Sequence, residues 1–396
     1  MSQSIIIAGG GIGGLTAALA LLRKGFDVTV VEQASELKEI GAGLHMGPNG
    51  TAALFGLGLK DALMKQAVLS VKREMRLWNT GEAWSLAAHG AGSEERYGAP
   101  YMLLHRADLH GILRDAVLAI KPDAVLLNSK VTGLEQDESG AGVLLEDGRI
   151  VRGAAVVGAD GVHSVVRDRL GKSVTPQFTG NMFWRGMIPI ELVPERERDS
   201  AGGWFSHRAT VTCYPVRGGK FLNFVGTVKR DGWSTLSWTE QGTTEECLTD
   251  FEGWHPNIIQ MIENMGTPYK WGQFQFESVR EWTDRRVTLL GDACHAMPPS
   301  LGQGAIMAIE DGVVLARALE ASKGDIIAGL QRYQAARVER ATEVVNCSWR
   351  ESRGRNSADL ADPAKASAYM AARFTSSSVN TFYDWIFGYK AHEVNV

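Results

Sequence analysis

Apolar positions follow two different periods along this chain. Between Ser4 and Glu32 a continuous run (Ile5, Ile6, Ile7) gives way to glycines, then to a small-residue stretch at helical spacing as far as Lys24. Gly25 stops that stretch, and a second β-branched run ends at Glu32. The pattern predicts a buried strand, a helix and a second buried strand, which is a βαβ unit. Short strands are expected over 72–104 with a hydrophilic insert at 89–97, and a helix opens at Leu104 and runs to about Ile120. Further strands follow at Ala124–Leu127, Val131–Gln136, Val143–Leu145 and Ala154–Val157, the last leading through Asp160-Gly161 into a helix that ends near Arg167.

From 176 to 280 the period shifts to alternation, with strands at Gly180–Pro189, Thr210–Pro215 and Phe221–Thr227 and one helical stretch at about 244–265. This reads as an inserted, mainly antiparallel sheet. If the alternation holds, Thr210, Thr212 and Tyr214 share one face, which is polar and aromatic and suits a site wall. Val287–Leu290 predicts one more strand, Pro298-Pro299 a stiff loop, and Ile306–Leu319 and Ile326–Trp349 long helices. The expected fold class is therefore α/β: a Rossmann-like domain, an inserted antiparallel-sheet domain and C-terminal helices. The aromatic tail Asn380–Tyr389 should be docked, on the body or on a second subunit, so a homodimer is one expectation.

Composition narrows the function. The 396 residues are 44% hydrophobic with a net charge of −4, and no basic block offers a stripe for phosphates, which excludes nucleic acid as the main partner. Four scattered cysteines without a CxxC point neither to a disulfide framework nor to a metal site. No run approaches 18 apolar residues and no cationic leader precedes Ile5, so a cytoplasmic protein without a membrane span is expected. Eleven Trp and 13 Phe suit an interior that takes a flat apolar ligand.

The chemistry is carried by turns. Gly9-x-Gly11-x-x-Gly14 sits between the first strand and its helix, where glycines allow a tight turn, approach to a pyrophosphate and close helix packing; Glu32 stands where a ribose-binding carboxylate belongs. A lone glycine motif is weak evidence, but here strand, helix, second strand and acid are in register. In Gly291–Asp311, Gly302 and Gly304 precede a helix whose first N–H groups, from Ala305 onward, would point at an anion. Arg106 at a helix start opposes the helix dipole, and is better explained if it faces an anion or a flavin edge. His45 lies among glycines in a loop from which it can reach a ligand.

Three motifs in this order, Gly9–Gly14 with Glu32, Gly158-Ala-Asp-Gly161 through Arg167, and Gly291-Asp292 through Gly304, resemble the single-component FAD-dependent aromatic hydroxylases of the p-hydroxybenzoate hydroxylase fold, whose FAD domain is of the GR2 type. The resemblance covers nearly the whole chain. It implies FAD as cofactor and NAD(P)H as cosubstrate, the latter bound transiently, since only one dinucleotide fingerprint is present. It also implies that Asp160 lies near the pyrophosphate and the nicotinamide nucleotide, that Asp292 holds the ribityl chain, and that Pro298–Gly304 lies under the flavin ring.

The expected division is FAD binding by 1–75, 98–175 and 276–330, substrate binding by 76–97 and 176–275, and a helical segment at 331–396. The implied reaction is hydroxylation of a small phenolic acid with O2 through a flavin C4a-hydroperoxide. His45 would be the base, Tyr214 the substrate hydrogen-bonder and Pro298 the backbone element beside the reacting oxygen. Local likenesses point to salicylate, 3-hydroxybenzoate and 6-hydroxynicotinate hydroxylases, whereas Ser300 and Thr210 stand where some of these carry Gln or His. The alternative from another class is an FAD-dependent reductase or dehydrogenase acting on a hydrophobic substrate.

Overall fold

The computed structural model describes residues 3–37, 42–70, 72–86, 92–233, 240–354, 356–374 and 376–396. Residues 39–41 of the glycine-rich loop expected over 39–49 and the start of the insert at 89–91 lie outside the described residues, and Gly43–Met46, with His45, is a strand rather than loop because it pairs with Met102–His105. A six-stranded sheet has the order Thr283–Asp284, Val287–Leu289, Ala155–Gly158, Ser4–Ala8, Asp27–Val31, Val125–Leu126, parallel except for the antiparallel pair at the Thr283 edge. Ile5, Ile6 and Ile7 are fully buried, as a parallel sheet covered on both faces requires. Helix Ile12–Arg23, with Leu15, Leu19 and Leu21 buried, covers one face together with Gly304–Ala321.

The second large sheet has seven strands in the order Tyr269–Gln275, Gln177–Pro189, Phe221–Lys229, Ala209–Val216, Ser200–Phe205, Lys72–Leu77, Ala83–Ser85. All neighbours are antiparallel except Ser200–Phe205 with Lys72–Leu77. Two of its strands escaped the hydrophobic pattern. Ser200–Phe205 is buried on both faces and so shows no alternation, and Tyr269–Gln275 mixes Lys and Gln with aromatics. Strand Lys72–Leu77 begins before the expected boundary at residue 76.

Other differences have local causes. The helix expected from Leu104 starts at Arg106, because Met102–His105 pairs as a strand with Gly43–Met46 and His105 Nδ1 accepts the Ala107 N–H as a cap. The single helical stretch at 244–265 is two helices, Thr244–Asp250 and Pro256–Glu263, divided by Gly253 at φ 78° and by Pro256. The hydrophilic insert holds a short helix, Ser93–Tyr97, and one helical turn, Asp292–His295, interrupts the expected strand–loop–helix connection.

The tail closes on its own chain. Helix Ser376–Phe387 sets Phe387 edge-on to Tyr97 and Tyr101, and Asp384 accepts hydrogen bonds from Tyr97 and Arg96. No described helix is long and apolar enough to cross a membrane.

Candidate active site

Ala8, Gly158 and Leu289 are register partners at the carboxyl ends of three adjacent parallel strands, so the turns that follow them emerge side by side. Gly9 takes φ 105°, and a Cβ there would lie 2.5 Å from the Ala159 carbonyl oxygen. A Cβ on Gly14 would lie 2.0 Å from the Gly9 oxygen, so no side chain fits between turn and helix. Helix Ile12–Arg23 has Gly11 at its N-cap and so no side-chain cap, which leaves its first N–H groups for a ligand. Glu32 accepts the N–H groups of Gly10 (2.7 Å) and Ala34 (2.8 Å), so backbone fixes the carboxylate while each oxygen keeps capacity for a hydroxyl donor.

A cavity of about 640 Å³ extends from Glu32 and Ser129 to Tyr214 and Trp271. Its lining includes Gly9, Gly11, Arg106, Asp160, Asp292, Pro298, Gly302, Gly304, Ala305 and His45. Of the residues expected to hold the cofactor, Gly14 is absent from the lining; it packs the helix against the turn instead. Asp160 accepts from Ser164 Oγ and from the Val166 N–H (3.1 Å), so part of its work is to hold its own turn; burial raises its pKa despite those bonds. The long helix Gly304–Ala321 also lacks a side-chain cap and begins at the cavity. Gly302, at φ 66°, brings this loop against the His45 side chain, where an added Cβ would come within 3.2 Å of the His45 Cβ.

At the far end His45 is held from two sides. Its Nδ1 is 3.0 Å from the Tyr101 hydroxyl, and its ring centroid is 4.1 Å from that of Tyr214. Gly43 permits the second contact, since a Cβ there would sit 2.4 Å from the Tyr214 ring. Burial, and then the neighbouring Tyr101, push the Tyr214 phenol well above its ordinary range, so it stays protonated. Phe183 and Trp271, with centroids 5.4 Å apart, complete an aromatic wall from adjacent strands. Sequence reasoning missed Tyr101, Phe183 and Trp271. Tyr101 sits in an apolar run with nothing to mark it, whereas Trp271 could have been flagged by its strand's mixture of aromatic and polar residues.

Ser300 and Thr210 do not line this cavity. They share a separate pocket of about 30 Å³ behind Phe183 and Pro299, and Ser300 Oγ donates to the Ser348 carbonyl at 2.5 Å. Tyr214 and Thr210 nevertheless lie on one strand face, and their two cavities adjoin.

Beneath the loop runs a buried ionic network. Glu310 and Asp311, both fully buried, receive Arg337 at 2.8 and 2.7 Å, and Glu310 also receives Arg340 and Asn49. Asp311 accepts the Gly291 N–H (3.1 Å) and pairs with His295 Nε2 at 2.6 Å, which anchors the turn that carries Asp292. Burial opposes charge on both partners, but their mutual attraction, helped by Arg337 on Asp311, holds His295 above and Asp311 below their ordinary values.

The uncapped helix at Gly11, the pinned Glu32 carboxylate and the uncapped helix at Gly304 fit the pyrophosphate, ribose and flavin ring of an FAD molecule. One dinucleotide fingerprint with an antiparallel wall over the same cavity defines an FAD-dependent oxidoreductase. The chain belongs to the family of FAD binding domain proteins, whose model matches residues 2–348.

It is 34% identical to 3-amino-4-hydroxybenzoate 2-monooxygenase from Streptomyces platensis, over 98% of this chain and 97% of that protein. It is 36% identical to 3-hydroxybenzoate 6-hydroxylase from Polaromonas naphthalenivorans, over 86% and 85%. Among solved structures, Klebsiella pneumoniae HpxO complexed with FAD and uric acid superposes with a TM-score of 0.84 at 27% identity, covering 98% of this chain and 97% of that one. The protein is an FAD-dependent aromatic monooxygenase of the class that uses NAD(P)H.

Proposed function

We propose that this chain hydroxylates a small aromatic acid that carries a phenolic hydroxyl, drawing on NAD(P)H and O2. The observation that carries the reading is the His45–Tyr101–Tyr214 cluster at the end of the cavity opposite Glu32. When bound, FAD supplies the redox and oxygen-transfer chemistry. The chain's own residues then have to orient the ring, raise its electron density and keep water out.

Electron density rises when the phenol proton is removed or shared. Tyr214, kept protonated by burial, is unsuited to be the base and serves as a hydroxyl partner to the substrate. His45 is the base, held with its Nδ1 3.0 Å from the Tyr101 hydroxyl at the edge of the cavity. Pro298, buried beside Gly302 in the lining, gives the loop a fixed course and no N–H to compete for the reacting oxygen. Developing negative charge near the loop is stabilised by the N-terminus of helix Gly304–Ala321 and by Arg106.

The reading is tested with a panel of hydroxybenzoates, salicylate, 3-amino-4-hydroxybenzoate and hydroxynicotinates. NADH oxidation and O2 uptake are scored against chromatographed product. One or more compounds should give hydroxylated product in step with NADH consumed, and His45→Gln should lower that rate by about 10²–10³-fold with FAD content retained. A His45→Gln enzyme with the wild-type rate and pH profile removes His45 from the chemistry. NADH oxidation without oxygenated product from any aromatic acid returns the chain to the reductase class.

A further inference from the structure

Four arginines are buried among the described residues: Arg76, Arg167, Arg185 and Arg337. Three are neutralised. Arg76 pairs with Glu74 and Glu197, Arg337 with Glu310 and Asp311, and Arg167 with Asp168 and two backbone carbonyls. Arg185 is different. It is 9% exposed, yet among the described residues no carboxylate lies within salt-bridge reach and no acceptor takes its N–H groups. Its guanidinium rests over the Trp271 ring at 4.8 Å.

The full charge that acts on it is of the same sign. Burial and then the charge of Arg106 hold the Arg185 pKa below its usual value, while the Tyr269 and Tyr214 phenols act weakly the other way. A buried cation beside a second cation is costly unless an anion completes the set. The surroundings say where that anion would arrive. Arg185 is register partner to Val225 and shares a strand face with Phe183, and Phe183, Val225, Trp271, Tyr214 and Arg106 all line the large cavity at the His45 end.

We propose that Arg185 is the receiving cation for the carboxylate of the substrate, with Arg106 reinforcing the positive potential and the Phe183–Trp271 wall taking the aromatic ring. This rests on the reading of the cavity as an aromatic-acid site and assigns its specificity. The ring is held by its acid group on the Arg185 side, which leaves its hydroxyl to His45 and Tyr214. An uncharged ring of the same shape leaves the buried charge unmet and binds poorly, in the way a site built for a polar group rejects an analogue lacking it.

The test uses oxidised, FAD-loaded protein and two isosteric pairs, benzoate with benzamide and 3-hydroxybenzoate with 3-hydroxybenzamide, followed by perturbation of the flavin absorbance. The wild type should prefer each acid by about 10–100-fold, the range expected for hydrogen bonds to a charged group. Arg185→Met should erase that preference, and Arg185→Lys should keep part of it. An acid preference that survives in Arg185→Met overturns the proposal, as does a wild type that binds acid and amide alike. If Arg185→Met loses FAD while its remaining loaded fraction still prefers acids, the guanidinium serves the cofactor and the proposal falls. Because the readout is binding, an Arg185-dependent acid preference without hydroxylated product would leave this assignment standing and sink the proposed reaction alone.

Discussion

Arg337 and Arg185 are both buried guanidiniums, and their surroundings are opposite. Arg337 sits between two fully buried carboxylates, with the Tyr389 hydroxyl also accepting from it at 2.9 Å. Arg185 faces an aromatic ring and a second arginine. Burial alone therefore does not tell what a charge is for. A charge whose partners are all inside the chain holds elements together: Arg337 ties helix Ile326–Gly354 to helix Gly304–Ala321, and through Tyr389 to the tail. A charge left without a partner beside a cavity is a demand placed on a ligand.

The sharpest way to break this contrast is to unbalance the satisfied cluster. In Asp311→Asn the side-chain oxygen can still accept from one donor, but the amide presents N–H to the Gly291 N–H and His295, and two arginines remain with Glu310 alone. The expected loss is about 3–5 kcal/mol of unfolding free energy, read from urea melts of FAD-loaded protein, with weaker FAD retention because the Gly291 turn loses its anchor. A loss under about 1 kcal/mol would show that the cluster is not the scaffold described here.

His295→Gln should cost less, about 1.5–3 kcal/mol, and its cost should depend on pH. The folded pKa of His295 lies above its unfolded value of about 6.5, so its contribution is complete below that pH and drains as pH rises through the folded value. Asp311 lies below its unfolded value of about 3.9, so its contribution is complete above that and is lost in acid. The gap between wild type and His295→Gln should be widest between about pH 4 and 6.5 and should narrow in alkali. A gap that widens with rising pH would mean that His295 is buried neutral.

How much of this was legible in the sequence follows from what each part is made of. The cofactor end is built from backbone: turns after three parallel strands, glycines where a Cβ cannot fit, and a carboxylate at the end of the second strand. Backbone demands leave glycine and spacing marks, so Gly9, Gly11, Glu32, Asp292 and Gly302 could be picked out before any coordinates. The other end is built from side chains that five distant segments bring together. His45 and Tyr214 were singled out because a glycine-rich segment and a resemblance pointed at them, although that segment forms a strand, Gly43–Met46, rather than a loop. Tyr101 and Trp271 were not, because pairing of Met102–His105 with Gly43–Met46 and of Gln177–Pro189 with Tyr269–Gln275 is a long-range fact with no local mark. Where the Ser300 side chain lies was hidden for a related reason. Its position in the loop is local, but the Ser348 carbonyl that turns its side chain away belongs to a helix 48 residues on.

The smallest expected effect carries the most telling sign. Most substitutions of buried residues destabilise, and removing Arg337 or its partners should do so. Arg185→Met should not. It deletes a desolvated charge with no internal counter-ion, and forfeits a stacking interaction with Trp271 worth about 0.5–2 kcal/mol against a desolvation cost of several kcal/mol. Methionine can follow the same strand face and keep an apolar contact with the ring. In FAD-loaded, substrate-free protein the variant should therefore match the wild type or gain about 1 kcal/mol, seen as an equal or higher melting midpoint. Adding benzoate should reverse the order, because a ligand stabilises only the form that binds it. A large loss of stability in Arg185→Met without ligand would mean that its charge is satisfied within the fold, and the contrast with Arg337 would disappear.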